Sequence, residues 1–242
     1  RFLLGESPLA MMQGMIDNYW AQQAEHRAVA TMYGIRNFVM NSAASIKDQF
    51  VINNSKTTSA DASSGFSVDQ FIDVEATLES QYRGAGAIVV HPKIAAKMRK
   101  QALVEQVTTS DNLPPISVYN GRAVIEVNSP MTVIGTGVNA QYVSYLVGSG
   151  AFVADSVRGN DDLVVDRTEG TGNGAGHTAL WTRRNMIVHP QGFNFIATDD
   201  QLTGGTKNEA LSASWTDLQN KDYWTLGTDA ERTSIRFLIT NL

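Results

Sequence analysis

Hydrophobic positions near the start of the chain recur at helical intervals. Leu9, Met12, Ile16, Tyr19, Trp20, Val29, Met32, Tyr33, Ile35 and Phe38 are mostly separated by three, four or their sums, the period of one helical face. Ser7-Pro8 supplies the start, with Ser7 as N-cap and Pro8 at the first helical position. Continuous to about residue 38, this helix would be on the order of 45 Å long at 1.5 Å per residue, longer than a usual globular helix. Gly34 weakens its later part by roughly 1 kcal/mol relative to Ala.

The stretch from Asn53 to Gly65 is rich in Ser, Thr, Ala and Asn and reads as a loop between two sub-structures. Ser67-Val-Asp-Gln70 then carries the capping-box pattern, and Phe71, Val74, Leu78 and Tyr82 form the stripe of a second helix ended by Gly84-Ala-Gly86. Ala87-Ile-Val-Val90 is wholly apolar, as a buried strand is. His91-Pro92 stops it and starts a helix carrying Ile94, Met98 and Leu103.

Alternating segments dominate the rest. Ile116 to Val127 is a hairpin split by Asn120-Gly121, the strongest two-residue turn signal. Tyr142 to Val157 reads as a second hairpin split by Gly148-Ser-Gly150, and Asp161 to Thr168 as a strand with a charged edge. Trp181 to Ile196 reads as a strand stopped by His189-Pro190, turned at Gln191-Gly192 and restarted at Phe193, Phe195 and Ile196. On its first limb Arg183 and Arg184 are adjacent, so alternation sends them to opposite faces, and at least one charge needs a partner or water. A short helix around Leu211, Trp215 and Leu218 and a closing strand, Ser234 to Thr240, complete the pattern. Helices first, then hairpins, without βαβ alternation, specify an α+β fold.

Composition narrows the function classes. The 242 residues suffice for one large domain or two small ones. A charged fraction of only 18% implies that much surface lies against other protein. No run reaches the roughly 18 apolar residues that span a bilayer. Arg1-Phe-Leu-Leu is too short and wrongly flanked for a signal peptide, and without an initiator Met the chain reads as a processed or partial product. The absence of cysteine excludes disulfides, thiolate catalysis and Cys-based metal sites. The net charge of −5 argues against tight phosphate binding. The one dense basic cluster, Lys93, Lys97, Arg99 and Lys100, sits on a short helix and reads first as a solvated or salt-bridged face.

Candidate chemistry is sparse. His26, His91, His177 and His189 make no pair with one another, and the adjacent Glu25-His26 cannot face one site on a helix. The glycine run Gly170 to Gly176 lacks the Lys-Ser/Thr end of a phosphate loop and is followed by a strand, so it reads as a flexible loop. Asp161-Asp162 and Asp199-Asp200 lack the alternating oxygen ligands of a calcium loop and read as solvated turns. No Gly-x-Ser-x-Gly elbow occurs. The four tryptophans, Trp20, Trp181, Trp215 and Trp224, suit packing or an interface.

The order of these elements resembles the major capsid proteins of tailed bacteriophages. The likeness rests on the long helix, the polar loop and the helix–strand–helix around Ala87-Ile-Val-Val-His-Pro92. It rests also on Asn185-Met-Ile-Val-His-Pro-Gln-Gly-Phe-Asn-Phe195, the Trp-containing segment after it, and Ser234-Ile-Arg-Phe-Leu238. It covers nearly all of the chain through order and spacing, with no single diagnostic motif. The resemblance implies the Hong Kong 97-type fold. In it residues 1–6 are the end of an extended loop and 7–65 a peripheral domain with the spine helix and linker. Residues 66–175 are an axial domain, and 176–242 are return strands of the peripheral domain, long ones such as Thr178 to Val188 included. The N-terminal arm and most of the extended loop are expected to be absent, so no Lys–Asn crosslink is assigned.

What the resemblance implies for function is a non-enzymatic subunit, without cofactor or metal, assembling as hexamers and pentamers into an icosahedral shell. That shell encloses double-stranded DNA without sequence-specific binding or membrane. It would be built in the host bacterial cytoplasm and reside in the virion, with portal, scaffold or decoration proteins as further partners. Arg183, Arg184 and Arg236 are the candidate inter-subunit contacts. A mildly acidic subunit suits a shell that must not stick to its DNA. The alternatives are an encapsulin-like compartment packaging protein cargo, a small hydrolase using Asp or His residues, and a monomeric ligand-binding module.

Overall fold

The computed structural model describes residues 8–58, 60–83, 86–101, 103–107, 116–157, 162–170, 176–203 and 212–242. The Ser7 cap, Phe2-Leu-Leu4, Asp161, residues 171–175 of the glycine run and the start of the late helix lie outside them. In chain order the elements are α1 (Pro8–Met40), α2 (Ala44–Phe50), β1 (Val51–Asn53), α3 (Val68–Ala76), β2 (Ala87–Val90), α4 (Pro92–Lys100), β3 (Glu105–Val107), β4 (Ile116–Tyr119) and β5 (Arg122–Glu126). There follow β6 (Val133–Ile134), β7 (Gln141–Val147), β8 (Phe152–Val157), β9 (Leu163–Thr168), β10 (His177–Thr182), β11 (Asn185–Pro190), β12 (Phe193–Phe195), α5 (Trp215–Gln219), β13 (Trp224–Leu226) and β14 (Ile235–Thr240). The fold is mixed α+β.

The chain divides into two compact units, Arg1–Ala28 with Phe152–His189, and Val29–Ala151 with Pro190–Leu242. The second unit holds an eight-stranded mixed sheet in the order β1-β14-β7-β2-β5-β4-β3, with β6 beside β7. The apolar run Ala87–Val90 is an interior strand, antiparallel to β7 and parallel to β5. On one face Phe71, Val74, Ile94 and Met98 of α3 and α4 pack with Tyr142, Leu146 and Leu238. Tyr145 points to the opposite face, against Phe237. There it feels Arg36 and Tyr33 of α1, although burial is the main reason its phenol is shifted up. The second unit's share of α1 therefore covers that face, with Val29, Met32, Ile35 and Val39 buried.

Asn120-Gly121 turns the β4–β5 hairpin as expected, with both residues at positive φ (48° and 75°), the conformation of a type I′ turn. Elsewhere the pattern needs correction. β7 and β8 form no hairpin: β2 and β14 occupy the two edges of β7, and β8 pairs with β11 instead. The Ser67 hydroxyl accepts from the Gln70 N–H at 3.4 Å, but the reciprocal half of the box is not formed, since Gln70 Oε1 is buried without a partner among the described residues. α3 stops at Ala76, where the Thr77 hydroxyl donates to the Val74 carbonyl at 2.6 Å. Tyr82 falls in a separate 3₁₀ turn.

The first unit is built from the start of α1 and two two-stranded ribbons, β9–β10 and β8–β11. The expected long strand from Thr178 to Val188 is interrupted: β10 ends at Thr182, β11 begins at Asn185, and Arg183-Arg184 occupies the break. There the arginines escape the strand alternation that would have sent one of them inward.

Candidate assembly surface

In the first unit the start of α1 meets the ribbons through polar contacts. Trp20 Nε1 donates to Thr182 Oγ1 at 3.2 Å. The Arg184 guanidinium meets the Asp17 carboxylate at 2.7 Å, with both side chains about half exposed, so the pair contributes at most about 1 kcal/mol. Arg183 is exposed, and its backbone N–H donates to the Asp162 carbonyl at 2.9 Å. Between these elements lies an open groove of about 480 Å³, lined by residues including Gln13, Ile16, Leu163, Leu180 and Met186.

What sets this unit apart is what it fails to bury. Among the described residues, every buried side chain belongs to the other unit. On α1, Met11, Met12, Met15 and Tyr19 each leave more than half their surface in solvent, Met15 as much as 69%. On the ribbons Val153, Leu163, Val165, Trp181 and Ile187 do the same. The cross-strand pair Val164 and Trp181 gives β9–β10 an apolar patch on the face away from Leu180. The second unit also exposes large apolar side chains, Val138 and Ile125 among them, but over a much longer stretch of chain and beside a buried core. In the first unit they stand without one, which makes it the candidate interaction surface. Methionines suit it because they adapt to whatever packs on them.

Arg236 requires a correction. The side chain, expected at an inter-subunit contact, is only 1% exposed. Its guanidinium donates to the carbonyls of Thr77, Ala230, Thr233 and Ile235 and to the hydroxyls of Thr77 and Thr233. It also lies 4.8 Å from the centre of the Phe50 ring. Burial lowers its pKa to about 10. The reason is β14's interior position, between β1 and β7, where both faces of the strand are buried.

The other candidates fall apart in space. His91 caps α4, its Nδ1 accepting from the Lys93 N–H at 3.1 Å, and its ring lies 5.1 Å from that of Tyr142. His177 and His189 are exposed on β10 and β11. Asp199 and Asp200 sit on an exposed 3₁₀ turn. Among the described residues no three His, Cys, Asp or Glu side chains group as metal ligands, and no helix is long and apolar enough to cross a membrane.

Three interior polar centres carried little signal in the sequence. Arg122, fully buried, pairs with Glu75 at 3.2 Å and donates to the Tyr82 carbonyl. Asn241 ties the 53–65 loop to the start of β7 through Lys56, Asn139 and Ala140. Asp217 holds Ser214 and Thr203. Only the last was readable, since Ser214-Trp-Thr-Asp217 has capping-box spacing.

No family model matches the chain. It is similar to the protein named major capsid protein of Bacillus phage SPP1, with 26% identity over 218 residues, covering 88% of this chain and 62% of that protein. The chain thus spans less than two thirds of that relative's length.

Proposed function

We propose that this chain is a shell subunit, the major capsid protein of a tailed bacteriophage, on the Hong Kong 97-type fold. Many copies self-assemble as hexamers and pentamers into the icosahedral head around a double-stranded DNA genome. In this reading α1 is the spine helix, residues 66–175 form the axial domain and 176–242 return to the peripheral domain. Assembly takes place in the host cytoplasm.

The observation that carries the reading is the first unit's missing core. A helix segment and two two-stranded ribbons that bury no described side chain among themselves lack the means to stand alone in water. Covering their apolar residues with other copies supplies the missing burial, at about 25 cal/mol per Å². Repeated modest interfaces of this kind add up over a lattice. The likeness to the major capsid protein of phage SPP1 along most of the chain points the same way.

Arg183 and Arg184 remain the proposed polar contacts between subunits, because the strand break leaves them exposed. Arg184 would exchange a weak solvent-screened pair with Asp17 for a partner on a neighbouring copy. Electron microscopy of the expressed protein tests the whole reading, with rings or closed particles expected and dispersed monomers under assembly conditions counting against it. Arg183→Glu and Arg184→Glu should lower particle yield while circular dichroism stays unchanged. Undiminished yield from both variants removes the arginines from the proposal.

A further inference from the structure

α4 carries four basic residues and no acidic one in nine positions. Arg99 is committed within the fold, to Glu126 at 2.7 Å. Lys93, Lys97 and Lys100 stand at i, i+4 and i+7, which on an α-helix places them within about 60° of one another. The opposite side of the helix is anchored by buried Ile94, Ala95 and Met98. The row is therefore fixed in direction by the core beneath it.

None of the three ammonium groups has a carboxylate partner within 4.0 Å among the described residues. Lys93 Nζ donates to the Tyr142 hydroxyl at 3.3 Å, a neutral acceptor. Lys97 is half-buried, and burial pushes its pKa down, so the charged form lacks compensation there. Lys100 is exposed. Three aligned cations thus lack an anionic partner among the described residues, Lys93 resting on the neutral Tyr142 ring and hydroxyl.

We propose that this row is a sequence-independent contact for the phosphate backbone of duplex DNA, turned toward the enclosed genome; it rests on the shell reading above. Seven residues at 1.5 Å each make a row of about 10 Å. That equals the axial rise of about three phosphates of one strand at 3.4 Å each. Lysines act as mobile point charges and read charge density rather than the planar geometry of a carboxylate. The one residue on α4 suited to bidentate carboxylate recognition, Arg99, is already held by Glu126. A net charge of −5 keeps the attraction weak overall, which suits DNA packed against a wall at high local concentration.

The test is the salt dependence of binding. The full chain is titrated with a fluorescent 20-base-pair duplex of arbitrary sequence, from low to moderate KCl, beside Lys93→Gln/Lys97→Gln/Lys100→Gln. Neutralising three phosphates gives a log–log slope of about 2.7 in magnitude. Between 50 and 200 mM salt the wild type should therefore lose about 40-fold more affinity than the triple variant, equally for unrelated sequences. If the triple variant misfolds by circular dichroism, Lys97→Gln and Lys100→Gln separately should each reduce the slope by about 0.9.

Identical slopes in wild type and variants overturn the contact. So does wild-type binding to poly-glutamate with none to duplex, which would assign the row to an acidic protein partner. Microscopy of the same samples separates the two proposals. Normal particles with unchanged slopes remove the contact and leave the shell reading. A reduced slope without particles supports the contact and counts against the shell.

Discussion

Asp217 shows how much of this fold hangs on single polar side chains. Its carboxylate is 4% exposed and accepts from the N–H and hydroxyl of both Ser214 and Thr203. Burial pushes the carboxyl up, but the hydrogen bonds from Ser214 and Thr203 hold the anion, and the net shift is downward. A folded pKa below the unfolded one stabilises fully above about pH 4 and fades as pH falls through the folded value. Asp217→Ala should lower stability by about 2–4 kcal/mol at pH 7, and by clearly less near pH 2, in urea unfolding at each pH. An equal loss at both would assign the effect to packing rather than to the anion. Arg236 and Arg122 are the basic counterparts, each fully buried. The burial of Arg236 was not legible, because alternation along Ser234 to Thr240 says which residues share a face but not that both faces are covered. Topology decides that, and it resides in partners far along the chain.

At the scale of elements, periodicity was a good guide to existence and a poor guide to partners. α1 spans 33 residues, about 50 Å, as its hydrophobic spacing requires. The spacing is the same whether the stripe is buried, as at Val29, Met32 and Ile35, or open, as at Met12 and Tyr19. β7 and β8 were both legible as strands, but not that β14 would take the edge a hairpin needs. Gly34 reads from sequence as a weak point in a helix, and the structure gives it a purpose. A Cβ there would lie 1.9 Å from the Leu218 carbonyl oxygen and 2.6 Å from Trp224 Nε1, the two atoms that hydrogen-bond each other at 2.7 Å. Gly34→Ala gains about 1 kcal/mol of helix propensity. It should still lower the thermal midpoint, because that hydrogen bond and the α1–α5 packing must move apart, a loss of more than about 2 kcal/mol. A raised midpoint would mean that α5 shifts without penalty.

For the molecule as a whole, stability is distributed unequally, and that inequality is measurable. The second unit carries every buried side chain among the described residues and the eight-stranded sheet. The first unit's strand hydrogen bonds sit in two-stranded ribbons with mostly exposed side chains above them. Ribbons of that kind open at low free energy, while a sheet core opens only with global unfolding. In dispersed subunits, amides of β9 and β10 should exchange with deuterium at least about 100-fold faster than those of β7 and β14, a difference of about 2.7 kcal/mol in opening. Assembly stabilises whatever it covers by mass action. In particles the β9–β10 amides should therefore slow by a similar factor, while those of β7 and β14 change little. Trp181→Ser should leave exchange in the dispersed subunit unchanged and, on the shell reading, reduce the protection gained on assembly, because Trp181 is exposed in the single chain. Equal protection of ribbons and sheet in dispersed subunits would show that the first unit is self-sufficient, and the argument from its missing core would fail.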